Sequence, residues 1–297
     1  MKFRAFDIEG QIPELRNPHA FATIRPWVDV GSVGRLTFRS LERHFQAQDL
    51  AKLSRPGIFF DFTRYRPNIY NVEGERQVTV PNTHIRYAKG PNDNDFVFLH
   101  LLEPHMNGEG YVQVVVKLLE RLGVERYCLL GSMYDLVPHT RPILVTGTTT
   151  GERALEEARS VGVQPSSYEG PTSIAAMVSQ EATKVGIETM GLVAHLPQYV
   201  QMEVDHAGRL RLLELLCELY DFKMDLDRVQ LRARQQNEEI SSAMNRNPEV
   251  KGLVEQLERQ YEDRLRKYGG VGQEEVTPLA PEVQDFLDQL GDQFSQN

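Results

Sequence analysis

The stretch LLGSMYDLVPHTRPILVTG, Leu129 to Gly147, sets Tyr134, Asp135, His139 and Arg141 between two apolar runs. Arginine holds anions, and histidine or a carboxylate moves protons when its surroundings tune it. If the first run is a strand of a parallel sheet, Gly131 to Arg141 falls at its C-terminal end, where open α/β sheets bind ligands. The loops LLEPHMNGEG and YEGPTS belong to the same edge on that reading. The candidate pocket is then Glu103, His105, Gly131, Tyr134, Asp135, His139, Arg141 and Tyr168. A plainer account has Pro138 and Pro142 stiffening a connection while Arg141 pairs with a carboxylate such as Asp135 or Glu103. The plainer account is favoured, and no residue is assigned a catalytic role.

Other chemical motifs are weaker. The sequence has no phosphate loop ending in Gly-Lys-Ser/Thr, no G-x-S-x-G elbow and no H-E-x-x-H. NGEGYVQ follows a strand-like run and opens a helix-like one, but Gln113 stands where a dinucleotide fingerprint needs its third glycine. The amides of that helix start remain a place for an anion. His100, Glu103 and His105 share neither a helix face nor a strand face, so they read as core and loop residues rather than metal ligands. Neither a metal nor a cofactor is expected.

The elements that must position these residues come from periodicity. VGSVGRLTFRSLERHF carries Val33, Leu36, Leu41 and Phe45 at near-helical spacing, and the aromatic run GIFFDF suits a buried strand. RQVTV and THIRYA alternate around Pro81 as two short extended segments. FVFLHLL, the helix GEGYVQVVVKLLERLG and RYCLLG then form a strand–helix–strand unit with parallel strands, with Gly123 stopping the helix. Alternation continues through ILVTG, GERALEEARSVG, TSIAAMVSQEATKVG, TMGLVAHL and AGRLRLLELLCELYDF. Near-continuous apolar strands alternating with helices mean an α/β sheet covered on both faces.

After Phe222 the chain turns charged and helical. Leu253, Leu257, Tyr261 and Leu265 make one apolar stripe, and Pro248 marks a break between two helices. We expect a core over 1–222, a helical hairpin over 223–268 that lies on that core or on another subunit, and a loose acidic tail over 269–297.

Bulk properties bound the function classes. The chain has 297 residues, 40% hydrophobic and 25% charged, enough for a large core without disulfide staples. Cys128 and Cys217 sit unpaired in apolar stretches, as in a reducing compartment. No apolar run reaches the ~18 residues of a membrane span, and the start MKFRAFDIEG lacks a signal-peptide core. A cytoplasmic protein is expected, with no membrane partner. The net charge of -9 argues against nucleic acid, although FTRYRP mixes Arg64 and Arg66 with aromatics.

Six motifs in order carry a resemblance: GSVGRL, FFDFTRYRP, LLEPH, LGSMYDLVPHTRP, YEGPTSI and GLVAHLPQYV. From about Phe21 to about Met244 the chain resembles the family of the second proteasome assembly chaperone, in its bacterial, actinobacterial-like branch. That resemblance implies a three-layer α/β/α sandwich with a mixed central sheet, similar to nucleoside phosphorylase and peptidyl-tRNA hydrolase folds. It implies homo-oligomers, trimers among them, and partners such as proteasome-like subunits or another protein client. Relatives dock partly through a C-terminal hydrophobic-Tyr-any motif. This chain ends DQFSQN, so docking of that kind is not carried over. The function expected is a non-catalytic oligomeric interaction protein. The alternative is a small-ligand binder or phosphorylase- or hydrolase-like enzyme that uses the strand-end pocket.

Overall fold

The computed structural model describes residues 1–268, apart from residues 245 and 247. In chain order the first part holds β1 (Lys2–Phe3), β2 (Phe6–Ile8), β3 (His19–Arg25), α1 (Val33–His44) and β4 (Gln48–Leu53). Next come β5 (Asn68–Val72), β6 (Glu75–Thr79), β7 (His84–Ala88), β8 (Phe96–Leu102), α2 (Gly108–Arg121) and β9 (Arg126–Asp135). The sequence continues with β10 (Val145–Gly147), β11 (Thr149–Thr150), α3 (Glu152–Ser160), β12 (Gln164–Pro165), α4 (Ile174–Lys184) and β13 (Glu188–Pro197). Helices α5 (His206–Leu219), α6 (Asp227–Met244) and α7 (Pro248–Tyr268) close it. The expected acidic tail, residues 269–297, lies outside the described residues.

One mixed sheet runs β1-β2-β4-β7-β8-β3-β9-β13-β10-β12, with β11 also on β13. Its centre, β8, β3, β9 and β13, is parallel. The flanks β7 and β10 pair antiparallel to that centre. Strand β3 lies between β8 and β9, so the strand–helix–strand unit read from the sequence spans one strand without pairing its own ends. Helix α2 packs Tyr111, Val115 and Leu119 on one face together with Ile174 and Val178 of α4. Helices α1, α3 and α5 bury Phe38, Ala154 and Leu212 on the other. This is the three-layer α/β/α sandwich with a mixed sheet.

Two local features differ from the expectation. GIFFDF is not a strand: the amides of Phe59 and Phe60 both donate to the Pro56 carbonyl, at 3.0 and 2.9 Å, and close a turn. Phe59 and Phe60 are still buried and Phe62 partly so, a pattern this turn shares with a buried strand. RQVTV and THIRYA are both extended but sit in different sheets. Among the described residues β6 pairs with β5 alone, in a separate two-stranded ribbon.

The apolar stripe of α7 lies on the chain's own core. Leu253, Val254 and Leu257 pack with Ile240 and Met244 of α6 and with Tyr199 and Val200 beyond β13. Tyr261 packs with Val137 and Leu144, while Leu265 is left exposed.

Candidate functional site

Strand β9 pairs with β13 over all ten of its residues, so Asp135 stands opposite Pro197 at the C-terminal edge. Gly131 is required there. A Cβ on it would lie 2.3 Å from the Val28 carbonyl oxygen, so only glycine lets residues 28–32 cross the strand. The crossing is fixed by the Ser132 amide donating to Val28 O at 3.0 Å and by Ser132 Oγ donating to Val30 O at 2.6 Å. Gly31, at φ 58°, leaves room for Asp205 at the start of α5.

Beyond Ser132, the side chains of Asp135, His139 and Arg141 each bond to residues of other elements and not to one another. Tyr134 is half-buried. Asp135 Oδ1 accepts from the Leu136 amide at 2.7 Å. Its Oδ2 meets His195 Nδ1 at 2.7 Å and Arg264 Nη1 of α7 at 2.9 Å. Burial acts to raise the Asp135 pKa, but the hydrogen bonds and charges of His195 and Arg264 outweigh it and hold the carboxyl far below its usual range. His195 Nε2 lies 2.8 Å from Thr146 Oγ1. Carboxylate, imidazole and hydroxyl in series have the connectivity of a nucleophilic triad. Here His195 and Thr146 are each 4% exposed. Neither lines the cavity that lies beneath α6.

His139 is buried between the core and α6. Its amide donates to Tyr199 Oη at 2.8 Å, its Nδ1 lies 2.7 Å from the same oxygen, and Nε2 lies 3.1 Å from Ser241 Oγ. Burial lowers its pKa and favours the neutral ring. A neutral ring that accepts from Tyr199 donates through Nε2 to Ser241. Arg141 reaches Glu258 at 2.9 Å and Glu262 at 2.7 Å on α7. Thr140 Oγ1 bonds to Glu258, and Tyr261 Oη donates to the Pro142 carbonyl at 2.9 Å. Helix α6 is fastened to α5 through Gln236, which donates to Asp205 at 2.8 Å and accepts from the His206 amide at 2.6 Å. A cavity of about 330 Å³ remains under α6, lined in part by His139, Arg141, Asp205 and Gln236.

Glu103, His105 and Tyr168 lie elsewhere on the edge. The Glu103 carboxylate accepts from the Ile174 amide at 2.9 and 3.1 Å, and so caps α4. Burial raises its pKa, and that hydrogen bond opposes the rise. His105 Nδ1 accepts from the Asp61 amide at 3.2 Å, and its ring sits 4.4 Å from that of Tyr65. Tyr168 is exposed and donates to the Pro171 carbonyl at 2.9 Å. His100 turns instead to Glu42 at 2.7 Å, so His100, Glu103 and His105 do not converge on one point.

Of the eight candidates, Asp135, His139 and Arg141 are therefore held by β13, α6 and α7, Glu103 caps α4, His105 sits against Tyr65, and Gly131 lies under the crossing of residues 28–32. Sequence reasoning missed His195, Thr146, Tyr199, Gln236 and Arg264. The available signal was a histidine inside the otherwise apolar strand TMGLVAHL.

The fold is a mixed-sheet α/β/α sandwich whose polar groups at the ends of β9 and β13 are paired with α6 and α7, and a fold of this kind does not by itself fix a function. The PAC2 family model matches residues 23–244, and the chain belongs to the PAC2 family. A PAC2 family protein from Streptomyces avermitilis is 27% identical, with 80% of this chain and 99% of that one covered at a TM-score of 0.71. A proteasome-assembly chaperone homologue from Mycobacterium tuberculosis is 25% identical over 80% and 99% of the two chains, at a TM-score of 0.70. A protein of unknown function from Corynebacterium glutamicum shares the fold at 21% identity and a TM-score of 0.77, with 90% and 100% covered. No curated protein matches the sequence. Among the described residues, no helix is long and apolar enough to cross a membrane.

Proposed function

We propose that this protein is a non-catalytic, chaperone-like interaction protein of the cytoplasm, working as a homo-oligomer that engages proteasome-like subunits or another protein client. Family membership and the likeness to a proteasome-assembly chaperone homologue support the reading. In this reading residues 1–222 are the core and 223–268 an extension that covers one end of it.

The observation that carries the proposal is the β5–β6 ribbon. Every residue of both strands is exposed. Ile69 and Val78 pair across it at 58% and 63% exposure, and Tyr70 and Val72 project from the opposite face at 52% and 43%. An isolated two-stranded hairpin is marginal in water, and apolar side chains on both faces with no core beneath mark a contact surface. Light scattering and affinity capture on full-length Ile69→Asp/Val78→Asp test this. We expect a smaller assembly or loss of a stoichiometric partner with the melting temperature kept. The same mass and the same partners as wild type would sink it.

The cavity of about 330 Å³ beneath α6 favours, second, a small-ligand site containing His139 and Arg141. An Arg141→Ala variant that leaves both ligand binding and stability untouched would remove that reading.

A further inference from the structure

The other half of the strand-end edge carries a different arrangement. On β3, Thr23 and Arg25 are two residues apart and share a face, and the register sets Thr23 beside His100 of β8. Over them lies α1, whose Arg35, Arg39 and Glu42 follow at helical spacing on one side. Together these six residues line a cleft of about 300 Å³.

The charges in the cleft do not balance. Its one carboxylate, Glu42, already meets His100 at 2.7 Å and Arg86 at 3.2 Å. Asp29 Oδ1 nearby accepts from the Gly34 and Arg35 amides at 2.6 and 3.3 Å, so the first turn of α1 is capped from within. Arg35 bonds Ser32 Oγ at 2.6 Å, a neutral partner. Among the described residues, no carboxylate comes within salt-bridge distance of Arg25, Arg35 or Arg39, although the charge of Asp29 is felt by Arg35 and Arg25 from further off. Further along, Arg209 is held between burial and the like charges of Arg43 and Arg39, all of which lower its pKa. Five arginines thus gather on one side of a chain whose net charge is -9. Like charges at helical spacing repel, and a bound anion relieves them.

A second, independent feature points the same way. Thr23 is 3% exposed, lines the cleft, and its Oγ1 has no hydrogen-bond partner. Buried hydroxyls are normally paired.

We propose that the α1–β3–β8 cleft binds the phosphate of a small phosphorylated molecule bearing hydroxyl groups, of the sugar-phosphate class. Guanidinium forks match tetrahedral phosphate oxygens in pairs, which an ammonium or a single amide does not. Arg25, Arg35 and Arg39 supply them, and Thr23 Oγ1 donates its hydrogen to the same group. The volume exceeds what a bare ion fills and stands at the small end of metabolite sites, about 300 Å³. Glu42, neutralised by Arg86, is the acceptor for a ligand hydroxyl. The proposal is independent of the ribbon and of any protein partner.

Calorimetric titration of the full-length protein with inorganic phosphate and with glucose 6-phosphate tests it. Both probes should bind once per chain, the sugar phosphate more tightly. Arg39→Ala and Arg35→Ala should each weaken binding about tenfold or more, with unchanged melting of the unliganded protein. Thr23→Val should weaken it less while folding normally. Absence of binding to wild type, or equal binding by Arg39→Ala, would overturn the site. Binding of phosphate with exclusion of the sugar phosphate would overturn the ligand class.

Discussion

Over β9 and β13, Asp135, His139 and Arg141 each find partners on β13, α6 or α7, and the polar groups of that end are spent on one another. Along the same edge, over β3 and β8, Arg25, Arg35 and Arg39 face a cleft whose lining carboxylate, Glu42, is already taken by His100 and Arg86. The difference lies in what covers each end. α7 carries Glu258, Glu262 and Arg264 on the flank of its apolar stripe, so one burial event seats the helix and settles the charges beneath it. Helix α1 brings arginines to its own end and little to oppose them. Charged residues at strand ends are therefore not a sign of a site by themselves; their state of pairing separates a fastening from a receptor.

Opening the closed half tests that contrast most strongly. Leu257 is fully buried in the seam between α7 and the core. Leu257→Ala should cost about 3 kcal/mol in urea unfolding. A loss near zero would mean that the seam contributes no stability and the two ends are alike.

Removing the charge at the centre of the closed half comes next. Asp135→Asn keeps the shape but weakens the bonds to His195 and Arg264, and should cost about 2 kcal/mol at neutral pH. Because the folded carboxyl titrates well below its unfolded value, near 3.9, its contribution is whole above pH ~4 and fades as pH falls further. The gap between wild type and variant should narrow in acid. A constant gap would assign the loss to shape and not to charge.

The mildest test uses His139. Its folded pKa is lowered by burial, so the unfolded chain takes up a proton first, near pH ~6.5. Stability then falls as pH drops below that value. The protection of α6 amides against hydrogen exchange, taken relative to their intrinsic rates at each pH, should fall between pH 7 and pH 5, because the opened form takes up the proton that the buried ring resists. His139→Gln should flatten this response, while protection in α1 changes less in both proteins.

Much of the fold was legible because its strands and helices bury different periods. Val112, Val115 and Leu119 fix the face of α2, and FVFLHLL and RYCLLG are too apolar to lie outside a two-sided sheet. Strand β3 was not singled out, because HAFATIR is buried at almost every position and its small and polar members hide the run. Phe59 and Phe60 misled for the opposite reason. Burial of aromatics does not require a strand, and Pro56 starts a turn instead. The candidate residues were found through loop chemistry, but their partners were not. Arg264 is separated from Asp135 by 129 positions, and nothing local on a polar helix distinguishes the one arginine that turns inward. The cleft over β3 and β8 escaped notice because its arginines are scattered between a strand end and a helix, and only the register brings Thr23 beside His100.

That separation of 129 positions between Asp135 and Arg264 also has a meaning in time. A ribosome adding roughly 5–20 residues per second makes α7 on the order of ten seconds after the strand end it will cover. For that interval Asp135 lacks one of its counter-ions, and Tyr199, Val200 and then Ile240, each from the moment it is made, lack the helix that buries them. The newborn chain thus passes through a stage with its C-terminal sheet edge greasy and bare, when helpers of folding and unwanted neighbours compete for the surface that α7 later takes.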